Sequence, residues 1–221
     1  MKTTGIAMLF LLLFCEQVSS QNLSKGDDVH WLMSELLQHQ SSNIQIKGNP
    51  TRMNSRYGQA VYFNGVSDAL FVDDVPLKSL KEFTVEMIFY PDTAAAFEQR
   101  VLHIGEIAGD RMLLEIRAVD RNWYLDGFVA SKGNKKVMID EQRLHPLAQW
   151  YHVAFVVSPD RLTTFVNGKQ ELSEAFLFMP IESGRTSIAV RQNEKSWFKG
   201  MIYKIKITPK LLKPEEFMTT K

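Results

Sequence analysis

Cysteine is nearly absent from this chain. Its single copy, Cys15, allows no disulfide within one molecule. Charge of one sign is also missing: 26 basic residues face 25 acidic ones, a formal balance of +1. Near-neutrality argues against nucleic acid or an acidic lipid surface as the main partner. Low-complexity tracts, internal repeats and long linkers do not occur. Long hydrophobic runs are scarce too. One unbroken run, Ile6–Phe14, follows Lys2 and is too short to span a bilayer.

What is present at the amino end reads as an address. Val18 and Ser20 stand at the −3 and −1 positions of a cleavage site before Gln21, so residues 1–20 are expected to be a secretory signal peptide. A lipoprotein reading of Cys15 is disfavoured by Phe14, where a small residue is needed. Cleavage leaves about 200 residues, enough for one sizeable β domain. No later segment is long enough to anchor the mature chain. Its expected location is secreted, periplasmic or within the cell envelope. An exported domain of this size without disulfides fits a bacterial envelope or secreted protein better than an animal extracellular one.

Short alternating strands dominate the remainder. Ala60–Asn64, Ala69–Val72, Phe83–Tyr90, Arg100–Ile104, Met112–Ala118 and Trp123–Ala130 read as strands, as do Lys136–Ile139, Thr186–Val190 and Met201–Ile207. Trp150–Val157 is apolar on both alternating faces, as in the middle of a packed sandwich. Ser158–Arg161 has turn chemistry, Leu162–Val166 pairs back, and Asn167-Gly168 supplies the left-handed residues of a two-residue hairpin. One segment differs. Val29, Leu32, Met33, Leu36 and Leu37 follow helical spacing, with Asp27 or Asp28 placed to cap. An irregular strand over His30–Met33 is the equal alternative, so residues 21–43 stand apart from the domain expected over 44–221. Many strands and almost no helix predict an all-β, two-sheet antiparallel jelly-roll sandwich.

Several blocks carry a family resemblance. Ala60-Val61-Tyr62-Phe63-Asn64-Gly65 with Asp68 and Leu70-Phe71-Val72 resembles the first block of laminin G-like domains, within the concanavalin A-like lectin and glucanase superfamily. Phe83–Asp92, a strand ending in Pro-Asp, is similar to the next block. Trp150–Lys169 resembles the family's Trp-x-His-Val-Ala strand and Val-Asn-Gly hairpin. Phe198–Ile207 with Leu212–Phe217 resembles the closing strand and its Pro-Glu-Glu turn of helix. The blocks cover about residues 44–217 in order, and they imply the same jelly roll.

The resemblance also implies what to search for. Jelly-roll glucanases use a Glu-x-Asp-x-x-Glu strand, because retaining chemistry needs its carboxyls about 5–5.5 Å apart. That pattern is absent, and Glu115 with Arg117 reads as an ion pair on one face. A lyase would gather residues such as Arg117, His103 and Tyr124 on concave strands. His30, Glu35 and His39 stand at helical spacings without the His-Glu-x-x-His pattern of zinc enzymes. Calcium is the family's usual ion, and Asp68 with Asp73 are the candidate ligands. Tyr203 and Lys204 occupy positions that carry an acidic pair in many relatives. Asp68 has a second reading as a turn residue bonding backbone N–H groups.

Trp150 is expected to fill space between the sheets, and His152 to be a hydrogen-bonded core residue. That leaves aromatic residues beside polar loops as candidate sugar platforms: Trp123 with Asn122, and Trp197 with Asn193. The alternative for these is packing, Trp123 as an inward strand residue and Trp197 over a sandwich edge. Asn22-Leu23-Ser24 matches a glycosylation acceptor. The favoured expectation is a non-catalytic module recognising a glycan or glycosylated surface. A protein–protein adhesion or envelope assembly subunit, and a divergent glycoside hydrolase or polysaccharide lyase, are the alternatives.

Overall fold

A computed structural model describes residues 27–38 and 42–219. The segment expected to be a signal peptide, with Cys15, lies outside the described residues, as do Asn22 and His39. One sheet orders β14 (Lys169–Ala175), β13 (Arg161–Val166), β12 (Tyr151–Val157), β6 (Phe83–Pro91), β16 (Lys199–Thr208), β4 (Gly58–Asn64) and β3 (Thr51–Ser55). The other orders β10 (Asn134–Ile139), β9 (Asn122–Ser131), β8 (Arg111–Val119), β7 (Glu98–Gly105), β15 (Arg185–Ile188), β5 (Ala69–Val72) and β2 (Ile44–Lys47), with β11 (His145–Pro146) beside β9. Every pairing between these strands is antiparallel, giving the jelly-roll sandwich expected from the alternation.

The alternation decides which side chains meet between the sheets. On β12, Tyr151, Val153, Phe155 and Val157 point inward, against Phe89, Met87, Val85 and Phe83 of β6 in register. From the opposite sheet come Leu102, Ile104, Met112, Leu114, Ile116, Trp123, Leu125 and Val129. Gly127 interrupts that row because Phe155 needs the space: a Cβ there would lie 3.1 Å from its ring. The Asn167-Gly168 pair, with φ of 49° and 75°, turns β13 into β14, a strand that the sequence pattern alone does not mark.

The segment 29–38 resolves the strand-or-helix ambiguity by being both. β1 (Val29–Leu32) pairs with Lys204–Ile207 of β16, along an edge that β4 leaves free after Ile202. Helix α1 (Met33–Gln38) follows and buries Met33. Asp28 therefore caps no helix; it meets Lys206 Nζ at 3.2 Å. After β16 the chain crosses back over the outer face of its own sheet. There Leu212 and Phe217, flanking the short helix η1 (Pro214–Glu216), pack on Ala154 and Phe165.

Candidate functional site

Tryptophan placement overturns the first expectation. Trp123 points between the sheets with no exposed surface, edge-on to Phe89 at 5.2 Å and to Tyr151 at 5.0 Å. A side chain enclosed in this way offers no face to a sugar, so the platform reading of Trp123 is corrected to core packing. Asn122 is half-buried in the ladder, opposite Val119 and Pro146. Trp197 is half-buried against Ala69, Phe71 and Val190 on the outside of the second sheet, and Asn193 is exposed on the preceding loop. β9 and β5 lie four strands apart, about 19 Å at normal spacing. The four predicted ligand residues thus do not converge on one site.

The proposed calcium pair also separates. Asp68 is buried and accepts hydrogen bonds from the N–H groups of Asn49 at 2.8 Å and Asn64 at 3.2 Å, one on each carboxylate oxygen. Asp73 is exposed at the far end of extended β5, about 16 Å along the strand. The two cannot hold one ion, and Asp68 serves the loop backbone instead. Among the described residues no group of three or more His, Cys, Asp and Glu side chains is arranged to hold a metal.

The outer face of the second sheet carries a dense ionic network. Odd-numbered positions of β8 point outward, placing Arg111, Leu113, Glu115 and Arg117 opposite Ala130, Phe128, Asp126 and Tyr124 of β9. Arg117 pairs with Asp126, with Glu98 at 2.6 Å and with Glu115 at 3.4 Å. Arg100 reaches Glu115 and Glu98, each at 2.7 Å. The expected Glu115–Arg117 ion pair is therefore one edge of a five-residue cluster. Burial pushes the Glu115 carboxyl up to about 8 against the pull of the Arg100 guanidinium, and burial also raises Asp126.

The lyase-type trio shares this face, with Arg117 directly opposite Tyr124 and His103 opposite Leu113. His103, however, is fully buried beneath the loop 190–197. Its Nε2–H donates to the Glu106 carbonyl at 2.9 Å, and its Nδ1 accepts from the Gln192 N–H at 3.4 Å. Burial lowers its pKa to about 4, so the ring stays neutral with both nitrogens engaged.

The opposite outer face holds a cluster that no sequence motif announces. Trp150 shares a side with His152, Ala154 and Val156 and so lies outside the sandwich, half-buried, which corrects its assignment as filling between the sheets. Tyr57, in the turn between β3 and β4, meets Trp150 edge-on at 5.3 Å and stacks on Tyr203 at 5.5 Å and 28°. Tyr90 adds a fourth ring, 5.7 Å from Trp150. A register shift between Ile202 and Lys204 lets Tyr203 turn outward here. Gly200 makes the neighbouring contact possible, since a Cβ would lie 2.2 Å from the Tyr90 carbonyl oxygen. The groove is floored by Ile88 and bordered by Arg56, Lys204 and Met218. Arg56 sits over the Tyr57 ring and donates to its hydroxyl.

His152 lies beside this groove, buried as expected. Its cover, however, is the C-terminal segment and not the opposite sheet. Its Nε2 lies 3.0 Å from Glu86, Phe217 covers the ring at 5.4 Å, and the Met218 N–H donates to the same carboxylate at 2.6 Å.

Comparison with known proteins accords with this architecture. Residues 60–217 match the laminin G 3 family, described as the concanavalin A-like lectin/glucanases superfamily. Domain 4 of AbnA, a GH43 extracellular arabinanase from Geobacillus stearothermophilus solved with arabinotriose, superposes with a TM-score of 0.60 at 20% identity, over 76% of this chain and 79% of that one. The binding domain of botulinum neurotoxin serotype D gives 0.60 at 15% identity, over 78% of this chain and 44% of that one. NanB sialidase from Streptococcus pneumoniae gives 0.52 at 19% identity, over 63% and 24%. No curated protein sequence matches the chain. These likenesses are of fold, shared by binding domains and by glycosidases. With the family match spanning most of the two-sheet sandwich, the chain belongs to the concanavalin A-like lectin/glucanases superfamily.

Proposed function

We propose that this chain is an exported, non-catalytic glycan-binding module that engages sugar through the Tyr57–Trp150–Tyr203 groove. The observation that carries this reading is the set of half-exposed rings on the outside of a rigid sheet, where aromatic faces can pack on sugar C–H groups. Arg56 and Lys204 at the rim supply donors for hydroxyl or acidic groups. Arabinotriose bound to the AbnA domain supports the reading by analogy of fold. Export rests on the signal segment at residues 1–20.

Absence of catalysis is part of the proposal. Glu115 and Asp126, the carboxylates opposite each other on neighbouring strands, are buried and ion-paired, which suits a structural network. The test is a polysaccharide binding screen of the mature chain, run with calcium and with chelator, followed by Trp150→Ala and Tyr203→Ala. Each variant should stay folded and lose roughly fivefold or more in affinity, since one stacking ring contributes on the order of 1 kcal/mol or more. Unchanged binding in both folded variants would refute the groove. Release of reducing ends from any polysaccharide would refute the non-catalytic part.

A further inference from the structure

A second feature lies on the other outer face, in a depression that the ionic network also lines. Arg100 and Arg117 are matched by Glu98, Glu115 and Asp126. Arg111 and Arg191 are not. Arg111 is 8% exposed, lies over the Phe128 ring at 4.7 Å, and donates through Nη1 to the Gly109 carbonyl at 2.7 Å. Arg191 donates through Nη2 to the Ile107 carbonyl at 3.3 Å. The buried Nε of each guanidinium has no hydrogen-bond partner among the described residues. Both line one open depression of about 150 Å³, with Phe128, Leu113 and Val137 as its apolar side and the ion-paired network, Glu115 and Asp126 included, along the rest of its wall.

This arrangement is costly as it stands. A buried cation is ordinarily paired, and two guanidiniums close together oppose each other. Burial and the charge of Arg191 both lower the Arg111 pKa. The position of Arg191 is also fixed. Its loop is held by Gln192 Nε2 donating to the Gly105 carbonyl at 2.9 Å, by Ser196 Oγ on Glu98 at 2.7 Å, and by the Arg100 N–H on the Ser196 carbonyl at 2.8 Å. The nearest carboxylates are already engaged by Arg100 and Arg117.

We propose that the depression between Arg111 and Arg191 binds the anionic group of an acidic sugar, a carboxylate or sulfate, with Phe128 and Val137 against the sugar ring. Guanidinium groups with free N–H donors match the planar or trigonal oxygens of either anion. The proposal deepens the glycan-binding reading by naming a charge class, on a face separate from the Tyr57–Trp150–Tyr203 groove.

Arginine Nε–H resonances of the full mature chain, titrated with glucuronate, galactose 6-sulfate, inorganic sulfate and glucose, give the direct test. Glucuronate or galactose 6-sulfate should shift the Arg111 and Arg191 signals saturably, and whichever does so identifies the anion. Glucose should not shift them. Arg191→Gln, on an anchored loop, should weaken that binding roughly tenfold or more while Trp150→Ala leaves it unchanged. Arg111→Gln should do the same if it folds; the Arg191 variant decides the matter if it does not. Inorganic sulfate binding as tightly as the sulfated sugar would overturn the role of the ring. Absence of any Nε–H shift with both acidic sugars would overturn the site. Loss of neutral-glycan binding in the Trp150 variant alone would leave the groove standing independently.

Discussion

Neutralising the titration of His103 should change the acid stability of the whole domain. The ring is neutral in the fold, with Nε2–H spent on the Glu106 carbonyl and Nδ1 occupied by the Gln192 N–H. A proton on Nδ1 would turn that acceptor into a second donor facing an N–H, beneath the loop 190–197. Burial lowers the folded pKa from 6.5 to about 4. Below pH 6.5 the unfolded chain takes up a proton that the native chain refuses, so stability falls as pH drops and the loss is complete below about 4. Each pH unit across that interval costs about 1.4 kcal/mol, which brings the total to about 3 kcal/mol. His103→Gln retains an N–H for Glu106 but does not titrate. It should start less stable by about 1–3 kcal/mol from imperfect pairing. It should then lose about 3 kcal/mol less than the parent between about pH 7 and 4. Urea unfolding followed by tryptophan fluorescence at steps of half a pH unit gives the two curves. Parallel curves would refute the buried neutral imidazole.

Three further predictions address other parts of the fold. Glu115, with its carboxyl raised from 4.5 to about 8, stabilises the protein fully below pH 4.5 and loses that contribution as pH rises toward 8. Glu115→Gln should remove this decline, of at most about 1.4 kcal/mol per pH unit, in the same urea experiment. Trp123→Ala should cost about 3–5 kcal/mol by leaving a cavity beside Phe89 and Tyr151, read as a lower urea midpoint, without changing glycan affinity of the folded fraction. Asp68→Ala should cost about 1–3 kcal/mol, because two loop N–H groups lose their acceptor. Calcium should leave the parent's melting temperature unchanged; a rise with calcium that Asp68→Ala abolishes would contradict the backbone role.

Strand positions were legible because each strand with one buried face advertises it by alternation. The absolute facing was harder. Trp123 and Trp150 exchange the roles expected of them, and the reason is specific. β12 is apolar on both sides because the segment carrying Leu212 and Phe217 covers its outer face. Nothing local to Trp150–Val157 says which of the two apolar faces looks at the other sheet. Tyr203 gains its outward position through a register shift at Ile202 and Lys204, and no residue type marks such a shift. Tyr57 sits in a hairpin without a clear sequence signal, since Thr51–Ser55 is exposed along most of its length. Arg111 and Arg191 meet only because the loop after β15 folds over β7. By contrast, the Glu115–Arg117 pair and the turn role available to Asp68 followed from spacing alone, and both hold.

The place of β16 has a consequence for how the molecule comes into being. Lys199–Thr208 runs between β6 and β4 and also receives β1, so it joins strands drawn from residues 29–91 into one sheet. During synthesis those earlier strands emerge without the neighbour that pairs them, and the sheet cannot close until Thr208 has left the ribosome. Such long-range closure is slow, because the loop entropy is spent before the contacts form. A chain with this strand order therefore completes its first sheet only once nearly all of its strands are available.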